Sequence, residues 1–211
     1  MCKANTEYVL RKKESEKDIH IKLQELKKGL KLKIDIDLIE SYDISHHAGK
    51  NAVAGCVVYS TKGKASDLYR SYNIAEANWG NDIGSMTELI KRRFSKIDSK
   101  QLPSLVIIDG GKTHLKHALI AFKECNISDV DVVSISKGVR RKAAFDTIHL
   151  SDGNNITIDQ GSAFHHFIQE IRDETHRYAI TIQKKKMRKT SIKSSLDDLT
   201  GIGSARKKLL L

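Results

Sequence analysis

The chain has 211 residues, with 37 Lys or Arg against 26 Asp or Glu, a formal net charge of +11 and a pI near 9.5. That length allows one domain with a sizeable core plus attachments. The charge fits a polyanionic partner, most often nucleic acid, with a merely solvated basic surface as the plainer reading. No apolar run approaches the ~20 residues of a membrane span, and no signal-peptide pattern opens the chain. Cys2, Cys56 and Cys125 form no C-x-x-C pair; they read as reduced thiols of a cytoplasmic protein, Cys56 and Cys125 packing as small hydrophobes.

Residues 1–33 are rich in Lys and Glu, with Val9, Leu10, Ile19, Leu23, Leu26 and Leu30 at helical spacing and Gly29 near the end. They predict an amphipathic leader or linker without chemistry of its own. The pattern then changes. Residues 34–45 predict a first strand, 52–60 a second, and 64–74 a third after the Lys62-Gly63 turn. Short connections between the three imply an antiparallel meander. An amphipathic helix follows over 82–97, with Met86, Leu89, Ile90 and Phe94 on one side. Leu105-Val-Ile-Ile-Asp109 reads as a strand buried on both faces, as in a parallel sheet covered by helices. A helix over 112–125, a strand over 130–136, a hairpin of 145–150 with 155–158 and a long helix over 162–186 complete the body. Residues 196–211 predict two short helical pieces around Gly201-Ile202-Gly203. The order βββ-α-β-α-β, then a hairpin and a long helix, predicts an α/β fold with a ribonuclease H-like mixed sheet. The expected division is 1–33 leader, 34–190 catalytic domain and 191–211 a partial helix-hairpin-helix.

Two acids end two strands, Asp43 and Asp109. In a ribonuclease H-like sheet the first and fourth strands lie side by side and parallel, so these carboxylates would share divalent cations. Hard oxygen ligands suit Mg²⁺ or Mn²⁺, and two ions roughly 3.5–4 Å apart suit in-line phosphoryl transfer. A third ligand must come from elsewhere. On the long helix, Phe164, Phe167, Ile168, Ile171, Tyr178 and Ile182 form the expected core stripe, and His165, Gln169, Arg172 and His176 share a neighbouring polar face. Helical phase leaves His176 as a cleft ligand or a surface histidine, with Asp173 and Glu174 equally available as acids. Gly110-Gly111-Lys112-Thr113 resembles the tail of a phosphate loop, but Val106 stands where that loop needs its first glycine, so no nucleotide cofactor is expected. The amides opening the next helix, with Lys112, could hold a DNA phosphate instead. His46-His47 and His165-His166 lack zinc-site spacing. Tyr72 and Trp79 could stack on bases, though core packing is the commoner fate.

Tyr42-Asp43-Ile44-Ser45-His46, Ile108-Asp109-Gly110-Gly111-Lys112 and Ile171-Arg-Asp-Glu-Thr-His-Arg-Tyr-Ala179 resemble the three signatures of the UvrC family, the incision subunit of bacterial nucleotide excision repair. The resemblance covers that family's C-terminal half, from about residue 4 of this chain onward. It implies a metal-dependent DNA endonuclease cutting 5′ to a lesion, with Asp43, Asp109 and His176 as metal ligands and catalytic residues. A further family acid maps onto Asp82, within Gly80-Asn81-Asp82-Ile83; as an alternative, Asp82 is simply a helix N-cap. His46 belongs to the first signature and would orient the site. Partners implied are damaged double-stranded DNA and, through the full-length protein, the UvrB–DNA complex.

Lys137, Arg141 and Lys142 match the family's basic loop, and Lys184, Lys185, Lys186, Arg188 and Lys189 end the long helix. With Arg172 and Arg177, these are expected phosphate contacts that position a duplex without reading its sequence. Leu199-Thr-Gly-Ile-Gly-Ser-Ala-Arg-Lys-Lys208 resembles one of the family's two helix-hairpin-helix units, with Gly201 and Gly203 exposing amides to phosphate and Thr200 and Ser204 standing where the family often has prolines. The rival reading is a non-catalytic DNA-binding module that keeps this fold and basic surface.

Overall fold

The computed structural model describes residues 17–47, 50–136, 146–158 and 161–197. Among them, helix α1 (17–30) precedes strands β1 (Leu38–His47), β2 (Lys50–Ser60), β3 (Gly63–Lys64) and β4 (Arg70–Asn73). Helix α2 (Asp82–Phe94), β5 (Leu105–Asp109), α3 (Lys112–Glu124), β6 (Asp131–Ser136), β7 (Thr147–Leu150), β8 (Asn155–Thr157) and α4 (Ala163–Asp197) follow. The described strands make one mixed sheet in the order β3-β2-β1-β5-β6-β7-β8, with β4 also paired to β2. β1 and β5 are parallel neighbours, as are β5 and β6, while β1–β2 and the β7–β8 hairpin are antiparallel. This is the expected ribonuclease H-like arrangement.

Strand alternation sorts the core into two layers. Ile39, Val57, Tyr59, Leu105, Ile107 and Val133 face α1 and α4, whereas Tyr42, Ala54, Cys56, Val58, Val106 and Ile108 face α2 and α3. The segment read as a leader contributes to the first layer. Leu26 and Leu30 are fully buried, and a Cβ on Gly29 would lie 2.8 Å from the Phe164 ring, so α1 can sit this close to α4 only with glycine there. Cys56 packs as a small hydrophobe, and burial pushes its thiol up to about 12.

Two expectations are corrected. The third strand is not continuous: Lys64 pairs with Tyr59 and Arg70 with Cys56, so five residues stand opposite two, and the excess forms a 3₁₀ turn at Ser66–Leu68. The excursion carries Tyr69 over to α4, where its ring meets Tyr178 edge-on at 5.0 Å and its hydroxyl donates to Glu174 at 3.1 Å. The N-cap of α2 is Asn81, whose side chain accepts from the Gly84 amide; Asp82 is the first helical residue. Its carboxylate is thereby left to the partner described below.

A buried charge cluster underlies β1. Glu40 has no exposed surface; its carboxylate accepts from Arg93 Nη2 at 2.7 Å, from Arg70 Nη1 at 3.2 Å and from the Tyr42 hydroxyl. Two guanidiniums and a phenol satisfy an acid that could not otherwise remain charged there.

Candidate metal centre

The register of β1 and β5 aligns the two strand-end acids. Ile39 pairs with Leu105 and Ser41 with Ile107, so Asp43 and Asp109 continue the same ladder on the same face. That face is covered by α4. Along it the sheet-facing stripe of α4 changes character, from Phe164, Phe167, Ile168 and Ile171 to Thr175, Ala179 and Gln183. Tyr178 and Ile182, expected in the core stripe, lie half-buried on its flank.

The smaller stripe meets β1 through polar pairs. The Thr175 and Ser41 hydroxyls are 2.9 Å apart, His176 Nδ1 is 2.8 Å from Asp43 Oδ2, and Ser45 Oγ donates to Gln183 Oε1 at 2.5 Å. The close approach depends on Gly55 of β2, which pairs with Asp43; a Cβ there would lie 3.1 Å from Ala179 Cα.

Asp43, Asp109 and His176 each present a ligand atom, and these atoms lie within 4.8 Å of one another. Asp43 is buried, Asp109 partly buried and His176 half exposed. Burial pushes the Asp43 carboxyl above the usual carboxylate range, and the neighbouring Asp109 charge adds to the rise. The His176 hydrogen bond and the Ile44 amide oppose it without cancelling it. Two crowded carboxylates with one imidazole, short of positive charge, fit a hard divalent cation. Helical phase had left Asp173 and Glu174 open as ligands. Asp173 is exposed beside Arg172, and Glu174 binds Tyr69 and Arg177, so neither belongs to the group.

Asp82 is not a member of the group either. Its carboxylate bonds His46 Nε2, three residues beyond Asp43 on β1. Lys112 is the exposed first residue of α3, three residues beyond Asp109, and Lys184, Lys185 and Arg188 are exposed on α4 past His176. Lys186 is partly buried, which pushes its ammonium below the usual lysine range. Arg172 is turned away from a DNA role: its guanidinium, 13% exposed, pairs with buried Asp146. Arg177 is exposed but forked onto Glu174, with both nitrogens at 2.8 Å. Trp79 donates from its indole to the Ile74 carbonyl, and it and Tyr72 pack at the edge of the α2–α3 layer. Lys137, Arg141, Lys142, the Lys189 side chain and the helix-hairpin-helix with Gly201 and Gly203 lie outside the described residues.

Sequence reasoning missed Ser45, Gly55, Thr175, Gln183 and the Glu40 cluster. Gln183 had a usable signal, because it follows His176 by two helical turns and therefore shares its side of the helix.

Residues 27–180 match the family model described as the UvrC RNase H endonuclease domain. UvrABC system protein C of Legionella pneumophila (strain Paris) is 37% identical over 195 residues, which is 92% of this chain and 32% of that protein. UvrABC system protein C of Hahella chejuensis is 39% identical over 186 residues, 87% of this chain and 30% of that protein. The chain thus spans about a third of the length of the curated relatives it matches. Among solved structures, human ENDOV aligns with a TM-score of 0.43 at 13% identity, over 74% of this chain and 86% of that one.

Proposed function

We propose, because this chain belongs to the UvrC RNase H endonuclease domain family, that it carries the hydrolytic centre of an incision nuclease of nucleotide excision repair. The reaction is cleavage of a phosphodiester on the 5′ side of a lesion in double-stranded DNA, leaving a 5′-phosphate and a 3′-hydroxyl. The observation that carries the reading is the convergence of Asp43, Asp109 and His176 from two parallel strands and one helix.

Those three residues would hold Mg²⁺ or Mn²⁺. A bound divalent ion supplies Lewis acidity at the phosphoryl oxygens and lowers the pKa of water. Asp43, fixed between β2 and α4, and Asp109, at the mouth of the β5–α3 turn, provide the hard oxygens. His176 is held through Nδ1 by Asp43 and turns its half-exposed ring to the cleft as ligand or proton acceptor. Asp82 acts from outside the ligand set, through His46. Lys112, Lys184, Lys185 and Arg188 line the approach as phosphate contacts, with Lys186, Arg177 and, outside the described residues, Lys137, Arg141, Lys142, Gly201 and Gly203 as further ones. The burial of Leu26 and Leu30 supports extending the catalytic unit from residues 34–190 back to α1, with 191–211 as the helix-hairpin-helix portion. Damaged DNA and a UvrB–DNA complex, met through the full-length protein in the cytoplasm, are the partners. Among the described residues no helix is long and apolar enough to cross a membrane.

The test is nicking of supercoiled plasmid by the chain and by Asp109→Ala, in Mg²⁺ and Mn²⁺ separately. Metal-dependent nicking by the first alone supports the reading. Millimolar Mn²⁺ should also raise the Tm of the parent by a few degrees, since binding only the folded state stabilises it, and leave that of Asp43→Ala unchanged. Salt-sensitive DNA binding without nicking or metal response would favour the non-catalytic module.

A further inference from the structure

The polar ladder between β1 and α4 does not end at the metal ligands. Ser45 lies two residues beyond Asp43 on the same face of β1, and Gln183 lies two turns beyond Thr175 and His176 on α4. Gln183 is 8% exposed, and its Oε1 is engaged by the Ser45 hydroxyl. Its Nε2, with two hydrogens to donate, has no partner. A buried amide donor left unsatisfied is costly, and such groups persist where a ligand completes them. What surrounds it is cationic: Lys184 and Lys185 are exposed on the same turn, and Lys186 is partly buried one turn on. The complement of a neutral donor in a positive setting is an anionic oxygen. Two strand residues span about 7 Å, which is comparable to the step between neighbouring phosphates of an extended nucleotide strand.

We propose that the Gln183 amide donates to a non-bridging oxygen of the phosphate adjacent to the scissile one, forming a second phosphate seat beside the Asp43–Asp109–His176 centre. Ser45 is a positioning residue in this seat: by donating to Oε1 it turns Nε2 toward the DNA. The inference rests on the nuclease reading above, but it can be tested apart from it.

The experiment uses the full chain, Gln183→Leu and Gln183→Glu. The carboxylate introduced by the second substitution can still accept from Ser45 and keeps the shape, but it sets a negative charge against the phosphate. Binding to a fluorescein-labelled duplex is read by anisotropy without metal. Plasmid nicking in Mn²⁺ is read as maximal rate and half-saturating protein concentration, and Mn²⁺ affinity by calorimetry. The expected result is DNA binding weakened about tenfold by Gln183→Leu, the scale of one hydrogen bond to a charged group, and further still by Gln183→Glu. Half-saturation should move in parallel, with Mn²⁺ affinity unchanged. Wild-type DNA binding by both variants overturns the proposal. So does loss of Mn²⁺ affinity in Gln183→Glu, which would make Gln183 a support for the metal ligands. If the parent binds DNA but does not nick it, the nuclease reading fails and the anisotropy series alone still decides the phosphate seat.

Discussion

Gly55→Ala sets two effects against each other at one atom. Replacing a strand glycine ordinarily stabilises by about 0.5–1 kcal/mol, because the unfolded chain loses freedom. Here the new methyl would sit 3.1 Å from Ala179 Cα and 3.2 Å from both Ala179 Cβ and Ala179 N. Carbon contacts relax at about 3.5–4.0 Å, so α4 must retreat by roughly half an ångström, and its backbone cannot swing aside as a flexible side chain would. Overpacking of this kind costs about 1–3 kcal/mol, which outweighs the propensity gain. The retreat occurs three residues from His176 and directly across the ladder from Asp43. A 1 Å misplacement at a reacting centre can cost about 100-fold, so half of that should cost about tenfold in maximal nicking rate. Half-saturation by DNA should stay close to the parent value. The assay is single-turnover nicking in Mn²⁺ alongside thermal unfolding. Parent-like rate with an unchanged or raised Tm would refute the reasoning, because the contact would then be absorbed without moving α4.

Removing one partner from the buried charge cluster should be far worse than removing the pair. Arg93→Met leaves Glu40 with Arg70 alone, and a loss of about 3 kcal/mol in the urea unfolding free energy is expected; Glu40→Gln with Arg93→Met should recover most of it. Equal losses would deny that the charge is what matters. Glu174 provides a pH test. The Arg177 fork is the largest influence holding its carboxyl below the usual range; burial opposes it, and Tyr69 and Lys64 assist. An acid with a lowered folded pKa contributes stability above its unfolded value, near 4.5, and loses it as pH falls through the folded value. Glu174→Gln should therefore be less stable than the parent by about 1 kcal/mol at pH 7, with the two melting curves converging below that range. A difference independent of pH would place the effect in packing.

The legible parts of this chain were those where one residue type has one physical use. A continuous Leu-Val-Ile-Ile run ending in Asp gave β5 to the residue, because alternation is absent only when both faces are covered. His176 could be placed on the correct side of α4 but not chosen over Asp173 and Glu174, since phase fixes direction and not distance. The break between β3 and β4 was hidden because Ser66 and Asp67 are ordinary residues for an edge strand; what bends the chain is the contact of Tyr69 with α4, more than a hundred residues on. Gly55 was invisible for the same reason: its purpose is the nearness of Ala179, and no local pattern records it. Arg172 looked like a DNA contact because its pairing with Asp146 crosses between elements.

The placement of His176 on α4 has a consequence in time. Asp43 and its imidazole are 133 residues apart, and ribosomes deliver the strands long before the helix. Contacts of such separation close late, because the loop entropy must be overcome first. A half-made or half-folded chain thus holds two acids that repel each other and no imidazole beside them. The centre is assembled only when α4 lies down along β1, so cutting ability arrives with the completed fold, and a partly folded copy near the chromosome is harmless to it.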